Sequence, residues 1–190
     1  QEDFCPPAGL EVSSTASYGS LVLNWENPAG GGGSFEDINE DFESGSIADD
    51  WMMTTNASVG WFVTLDGSSG FFSIPGFDGY YCVSNDDALT NPSDGSEDYL
   101  ISPTIDASSV NTLYLQYDSY FPGSYGQQAF IEISIDGGTV FTQVDELESE
   151  QVWSNQILDL SDYAGESDLQ IAFHADDAGY WASGWAIDNI

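Results

Sequence analysis

Phe130-Ile131-Glu132-Ile133-Ser134-Ile135 runs straight into Asp136-Gly137-Gly138 and then Thr139-Val140-Phe141. Apolar side chains fall on alternate positions, then a turn sequence follows, then a second β-prone run. That is the pattern of a strand, a tight hairpin turn and a returning strand. The same grammar extends outward in both directions. Trp61-Phe62-Val63-Thr64-Leu65, Tyr80-Tyr81-Cys82-Val83 and Tyr99-Leu100-Ile101 are strand candidates on the N-terminal side. Residues 112–117 alternate, with Leu113, Leu115 and Tyr117 on one face. Residues 151–160, 169–175 and 184–190 complete the series. Helical periodicity is scarce; only 158–164, closed by Gly165, suits a single turn. Many short strands with turn-rich spacers predict an all-β fold, an antiparallel β-sandwich.

The charge balance narrows the function. The chain has 190 residues, 33 Asp plus Glu, one His and no Lys or Arg, for a formal net charge of −33. An average chain of this length carries roughly 20 Lys plus Arg. Nucleic-acid binding needs cations to displace counterions from phosphate, so it is excluded. Attraction to anionic membrane is excluded on the same ground. P-loop lysines, Schiff-base lysines and arginine clamps are impossible. Each carboxylate must be satisfied by water, by N–H or O–H donors, or by a bound cation. The 41% hydrophobic and 14% aromatic content is too high for a disordered acidic tail. There is no apolar run long enough to span a bilayer, and no signal peptide is visible. An acidic domain rich in Trp, Tyr, Gly and Ser reads as extracellular. Cys5 and Cys82 form a possible disulfide, or either is a small buried thiol.

Residues 1–29 hold a short module. Leu10 and Val12 alternate, as do Leu21, Leu23 and Trp25, which predicts two strands. Gly30 to Gly33 make residues 30–34 a flexible linker; a phosphate loop would need a helix start and a Lys. The sandwich occupies 35–190.

Several motifs in 35–190 stand in a familiar order. Asp41-Phe42-Glu43-Ser44-Gly45-Ser46-Ile47 is followed by Trp51. Tyr80-Tyr81-Cys82-Val83-Ser84-Asn85-Asp86, Asp98-Tyr99-Leu100-Ile101-Ser102-Pro103, Val152-Trp153 and the closing Gly184-Trp185-Ala186-Ile187-Asp188-Asn189-Ile190 follow. Together they resemble the MAM-like and cleaved-adhesin jelly-roll domains attached to gingipain-type proteases of the Bacteroidetes. Ala48 departs from the pattern, where Pro is common, and Met52 follows Trp51 where Thr is usual. The leading segment resembles the first two strands of a fibronectin type III module. Both ends suggest a piece of a larger polypeptide with further domains.

The resemblance implies a Ca²⁺ (Na⁺ in some MAM domains) between the first and last strands. Carried over, its ligands are Glu43 and Asp188, with Asn85 and Asp86 as a third contribution. Ca²⁺ takes six to eight oxygen ligands, and without Lys or Arg an ion is the strong local neutraliser at hand. The other reading of these acids is solvation or capping. No EF-hand spacing is present.

His174 is the only imidazole, and it lies across the strand from Leu169, Ile171 and Phe173. It reads as a surface or edge histidine rather than a catalytic base. Neither cysteine sits in a nucleophile context, and one His with two Cys is poor for zinc. No compact motif marks a pair of carboxylates as glycosidic. The expectation is a non-enzyme. Aromatic loops suggest a sugar surface built from Phe72, Phe77, Tyr120, Tyr125 and Trp181. The competing readings are core anchoring, inter-domain contact and self-assembly. Expected partners are a glycan or protein on a surface, or copies of the same chain. An alternative role is a filament or sheath subunit, since trypsin-type proteases find no Lys or Arg at which to cut.

Overall fold

In the computed structural model, residues 37–85, 87, 97–179 and 181–190 are described, together with the backbones of two short strands nearer the N-terminus. The chain divides into two compact units, Gln1–Ser34 and Phe35–Ile190. In the first, β1 (Glu11–Ser13) pairs antiparallel with β2 (Val22–Asn24), placing Val12 opposite Leu23. The rest of the 1–29 segment, the 30–34 linker and Cys5 lie outside the described residues.

The second unit is built from β3 (Met52–Thr55), β4 (Phe62–Thr64), β5 (Tyr81–Ser84), β6 (Glu97–Ile101), β7 (Tyr114–Tyr120), β8 (Gln128–Ser134), β9 (Thr142–Glu146), β10 (Ser154–Asp159), β11 (Gln170–Asp176) and β12 (Trp185–Asp188). They form two five-stranded antiparallel sheets, ordered β10-β7-β12-β5-β4 and β3-β6-β11-β8-β9. The expected antiparallel sandwich is the observed fold.

Two details differ from the sequence reading. The strand expected at 139–141 begins at Thr142. The Asp136 carboxylate accepts hydrogen bonds from the backbone N–H of Thr139 and Val140, both at 3.0 Å, and so withdraws those groups from the ladder. β3 was not anticipated. Its Met52 and Met53 are both exposed, so no alternation marks it.

Period-two alternation sorts the first sheet's side chains into two layers. Cys82, Leu115, Tyr117, Trp185 and Ile187 point between the sheets, where they meet Trp61, Leu100, Ile131 and Phe173. Trp185 has no exposed surface and packs edgewise on Trp61, with ring centroids 5.3 Å apart. Tyr81, Val83, Tyr120 and Ala186 point the other way, under Phe72 and Ile74. The long connection between β4 and β5 therefore forms a third layer, and β5 is buried on both faces. Full burial of each such side chain contributes roughly 1.5–3 kcal/mol.

Cys82 has no exposed surface, and the possible disulfide falls on Cys5, which lies outside the described residues. Burial raises the pKa of Cys82 well above the ordinary thiol range, so it acts as a small core residue. His174 lies on the expected side of β11, but the surface placement is corrected. β11 is an interior strand, and the imidazole is buried, stacked on Tyr99 at 4.0 Å and flanked by Phe130 at 5.4 Å. Its Nδ1 lies 2.8 Å from Glu132 Oε1, and its Nε2 is buried without a hydrogen-bond partner. The Tyr99 hydroxyl beside it is pushed up to about 12, chiefly by burial and then by the charge of Glu132.

Candidate functional site

β5 and β12 run antiparallel, with Trp185 opposite Ser84 and Ile187 opposite Cys82. The two candidate sites sit at opposite ends of this strand pair.

At the end where β12 finishes, the segment around Glu40 pairs with the last residue. Glu40 N donates to Ile190 O at 3.0 Å, and Ile190 N donates to Glu40 O at 2.9 Å. Phe42, fully buried in the core, anchors this segment at a left-handed φ of 53°. Glu43 follows, and its Oε1 accepts from Tyr80 N at 3.0 Å. Gly79, at φ 105°, leaves room for that approach: a Cβ there would collide with Glu43 Oε1. Glu43 and Asp188 are thus brought to the same end of the molecule, although Glu43 remains exposed.

Asp188 is the unusual member. It is 2% exposed, and its Oδ1 is buried with no hydrogen-bond partner. Its Oδ2 accepts from Asn189 Nδ2 at 3.2 Å. Burial, reinforced by the negative charges of Asp118, Glu43 and Asp41, pushes its pKa up to about 7. Asp118 stands directly across the ladder from Asp188, a like-charge pairing that destabilises a sheet unless something neutralises it. Neutral amides are the visible partners of Asp118: Asn155 and Asn189 each donate to it at 2.9 Å. Nearby Glu40, also buried, has its pKa raised for the same first reason. Among the described residues, no three of His, Cys, Asp and Glu form a group able to hold a metal. What the arrangement offers is hard oxygen: one buried carboxylate with an open oxygen, and acids without a cation.

Asn85 is not part of this end. It follows β5, four residues beyond the point opposite Asp188, or about 13 Å along the strand. Its Nδ2 donates to Gly67 O at 2.6 Å and its Oδ1 accepts from Asp87 N at 3.1 Å, so its amide holds loops together. Asp86 lies outside the described residues. Asp118 was missed in the sequence; a polar residue mid-strand carries no sign that it will face another acid across a ladder.

At the end where β12 begins, rings gather. The loop before β8 and the loop before β12 are tied: Ser124 N donates to Ser183 Oγ at 3.0 Å, Ser183 N to Ser124 O at 3.2 Å, and Gly184 N to Gln127 Oε1 at 3.0 Å. Gly184 sits at φ 105°, where a Cβ would collide with the Ser84 carbonyl and with the Phe72 ring. Tyr125 is 62% exposed and Trp181 48%, both on these tied loops. Phe71, 59% exposed, meets Tyr125 edge to face, with centroids 6.0 Å apart at 89°. Tyr125 holds a φ of 62°, a left-handed backbone that costs a non-glycine residue roughly 1–2 kcal/mol.

The sugar-surface expectation is corrected at two positions. Phe72 and Tyr120 are buried and stacked on each other at 5.7 Å, with Tyr120 Oη donating to Ser73 O, so neither ring is free. Phe77 is half-buried against Trp153, 4.4 Å away. Phe71 is the exposed ring that the sequence left out. Adjacent phenylalanines in a loop carry no periodicity to say which one turns inward.

No protein-family model matches the chain, and no curated protein sequence matches it. Solved structures do. The K3 cleaved adhesin domain of Lys-gingipain from Porphyromonas gingivalis W83 aligns at a TM-score of 0.56 and 19% identity, over 80% of this chain and 95% of that one. The K2 cleaved adhesin domain of Lys-gingipain aligns at 0.56 and 20%, over 80% and 94%. The enzymatically active domain of bacteriophage CBA120 tailspike protein 4 aligns at 0.50 and 13%, over 81% of this chain and 20% of that one. The chain shares the fold of the cleaved adhesin domains. Since an enzyme's chain carries a similar fold, architecture by itself does not decide the chemistry.

Proposed function

We propose that this chain is a non-catalytic, adhesin-type binding domain of an extracellular surface protein, stabilised by Ca²⁺ and attaching to glycans through its aromatic end. The observation that carries the reading is the group of exposed rings, Phe71, Tyr125 and Trp181, with Tyr125 and Trp181 on loops fastened to each other by backbone and Ser183 hydrogen bonds. Strain retained at an exposed aromatic points to use of that residue rather than to packing. The fold shared with proteins described as adhesin domains agrees with attachment.

The opposite end supports the cation. An orphaned buried carboxylate oxygen on Asp188, faced by Asp118 and approached by Glu43, fits a hard divalent ion that accepts carbonyl and water oxygens besides carboxylates. The ion's chemistry there is charge neutralisation. Catalysis finds little to use: the one imidazole is buried beneath Tyr99, on the other sheet from both ends.

The test is a glycan array probed with the 190-residue chain. Binding is expected, and the double substitution Phe71→Ala with Tyr125→Ala abolishes it while leaving the melt cooperative. Failure to bind any glycan overturns the attachment role. A second reading, a subunit of a protease-resistant filament or sheath, draws on the absence of Lys and Arg. Ordered polymers in concentrated Ca²⁺ solution, with no glycan binding, would favour it.

A further inference from the structure

The ring corner and the charge composition together specify the ligand more closely, on the premise of glycan binding stated above. We propose that the aromatic end takes the terminal unit of an uncharged glycan and discriminates against glycans bearing carboxylate or sulfate.

Geometry supplies the first half. Phe71 and Tyr125 meet at 89°, so they form a corner and not a platform. A flat array of packed polysaccharide chains can lie on one of these rings but not on both. A sugar unit that exposes a face and an edge together satisfies both, and a chain terminus does so with the least obstruction. Apolar C–H surface then leaves water against each ring. Each side of the corner is held before the ligand arrives: the Tyr125 loop is tied to the loop before β12 through Ser124, Ser183, Gly184 and Gln127, and Phe71 is followed by Phe72, whose N donates to Ser69 Oγ at 3.0 Å and whose O accepts from Ser69 N at 2.7 Å. Preorganisation of that kind lowers the ordering cost of binding.

Charge supplies the second half. Recognition of a carboxylate or sulfate relies on Arg, Lys or protonated His. Arg and Lys are absent, and the single His is buried on a strand of the other sheet. The exposed Asp66 stands in the loop that carries Phe71, and the half-buried Asp176 closes β11 ahead of the loop that carries Trp181. With a screening length of about 8 Å at physiological salt, an anionic group at the corner meets their repulsion. The hydroxyls of an uncharged sugar instead donate to such carboxylates.

The experiment is calorimetric titration of the 190-residue chain with matched pairs: gluco- and galacto-oligosaccharides against oligoglucuronate and oligogalacturonate, at 0.15 M salt, in chelator and in Ca²⁺. The neutral members are expected to bind at least tenfold more tightly under both conditions. Stoichiometry should be one per oligosaccharide chain whatever its length, and Tyr125→Ala and Phe71→Ala should each weaken binding about tenfold. Acidic members binding as well as neutral ones, with or without Ca²⁺, overturn the discrimination while the glycan-binding role stands. Stoichiometry rising with chain length overturns the terminal-unit assignment. No binding by any member, from protein with an intact melt, removes the role and this inference together.

Discussion

The two ends of the β5–β12 pair are inverses of each other. At one, a carboxylate is taken out of water and left with an oxygen unbonded; at the other, three aromatic rings are left in water. Each reverses the usual preference, which buries rings and solvates charge. The core between them obeys it: Trp185, Trp61, Tyr117 and Phe173 fill the interior. Departures of this kind, at opposite ends of one strand pair, are where function belongs. They also differ in what they ask for. On the proposed function, the acidic end would take a cation and serve stability, and the aromatic end would take a glycan.

The sharpest way to break the comparison is Gly184→Ala. Its Cβ meets the Ser84 carbonyl in a left-handed backbone, a clash expected to cost about 3 kcal/mol. Thermal melts should fall by roughly 10 °C, with the Ca²⁺ response retained and glycan binding lost. A loss confined to the Ca²⁺ response would show that the two ends are not separate.

Asp188→Asn addresses the other end. In metal-free buffer it should raise stability by on the order of 1–2 kcal/mol, because it removes a charge that burial disfavours. In Ca²⁺ it should gain nothing further, and glycan affinity should be unchanged. A variant that still responds to Ca²⁺ like the parent would move the cation elsewhere.

The pH dependence follows from the same group. Asp188 is raised to about 7 and Glu40 is raised as well, both chiefly by burial. Between about pH 4 and 7 the native state therefore holds more protons than the unfolded state, and stability falls as pH rises through that window. Metal-free melts should be higher at pH 5 than at pH 8, with a smaller difference in Asp188→Asn. Equal differences in parent and variant would trace the effect to general self-repulsion.

The smallest effect concerns strain. Gly is usually less stable than Ala because its unfolded chain is freer. At position 125, with φ 62°, the order should reverse: Tyr125→Gly should melt above Tyr125→Ala, by about 1 kcal/mol. The usual order would mean that the loop relaxes without the tyrosine.

The sheets were legible because period-two alternation survives wherever one strand face is buried, as in β7 and β8. β3 escaped because its methionines are both exposed. The Glu43 and Asp188 end was reached through motif resemblance, and Asp118 needed the register itself. Phe71 and Phe72 were indistinguishable until the third layer was seen, since it is Tyr120 beneath the loop that selects which ring turns inward. The burial of His174 depended likewise on Tyr99 and Phe130, its neighbours across two ladders.

The most direct test of the division of labour is a thermal melt of the chain in chelator and again in Ca²⁺. An ion at a hundred times its dissociation constant stabilises by about 2.7 kcal/mol. The melting temperature should therefore rise by about 5–10 °C in Ca²⁺, and Phe71→Ala should show the same rise. An identical melt in chelator and Ca²⁺ would contradict the account.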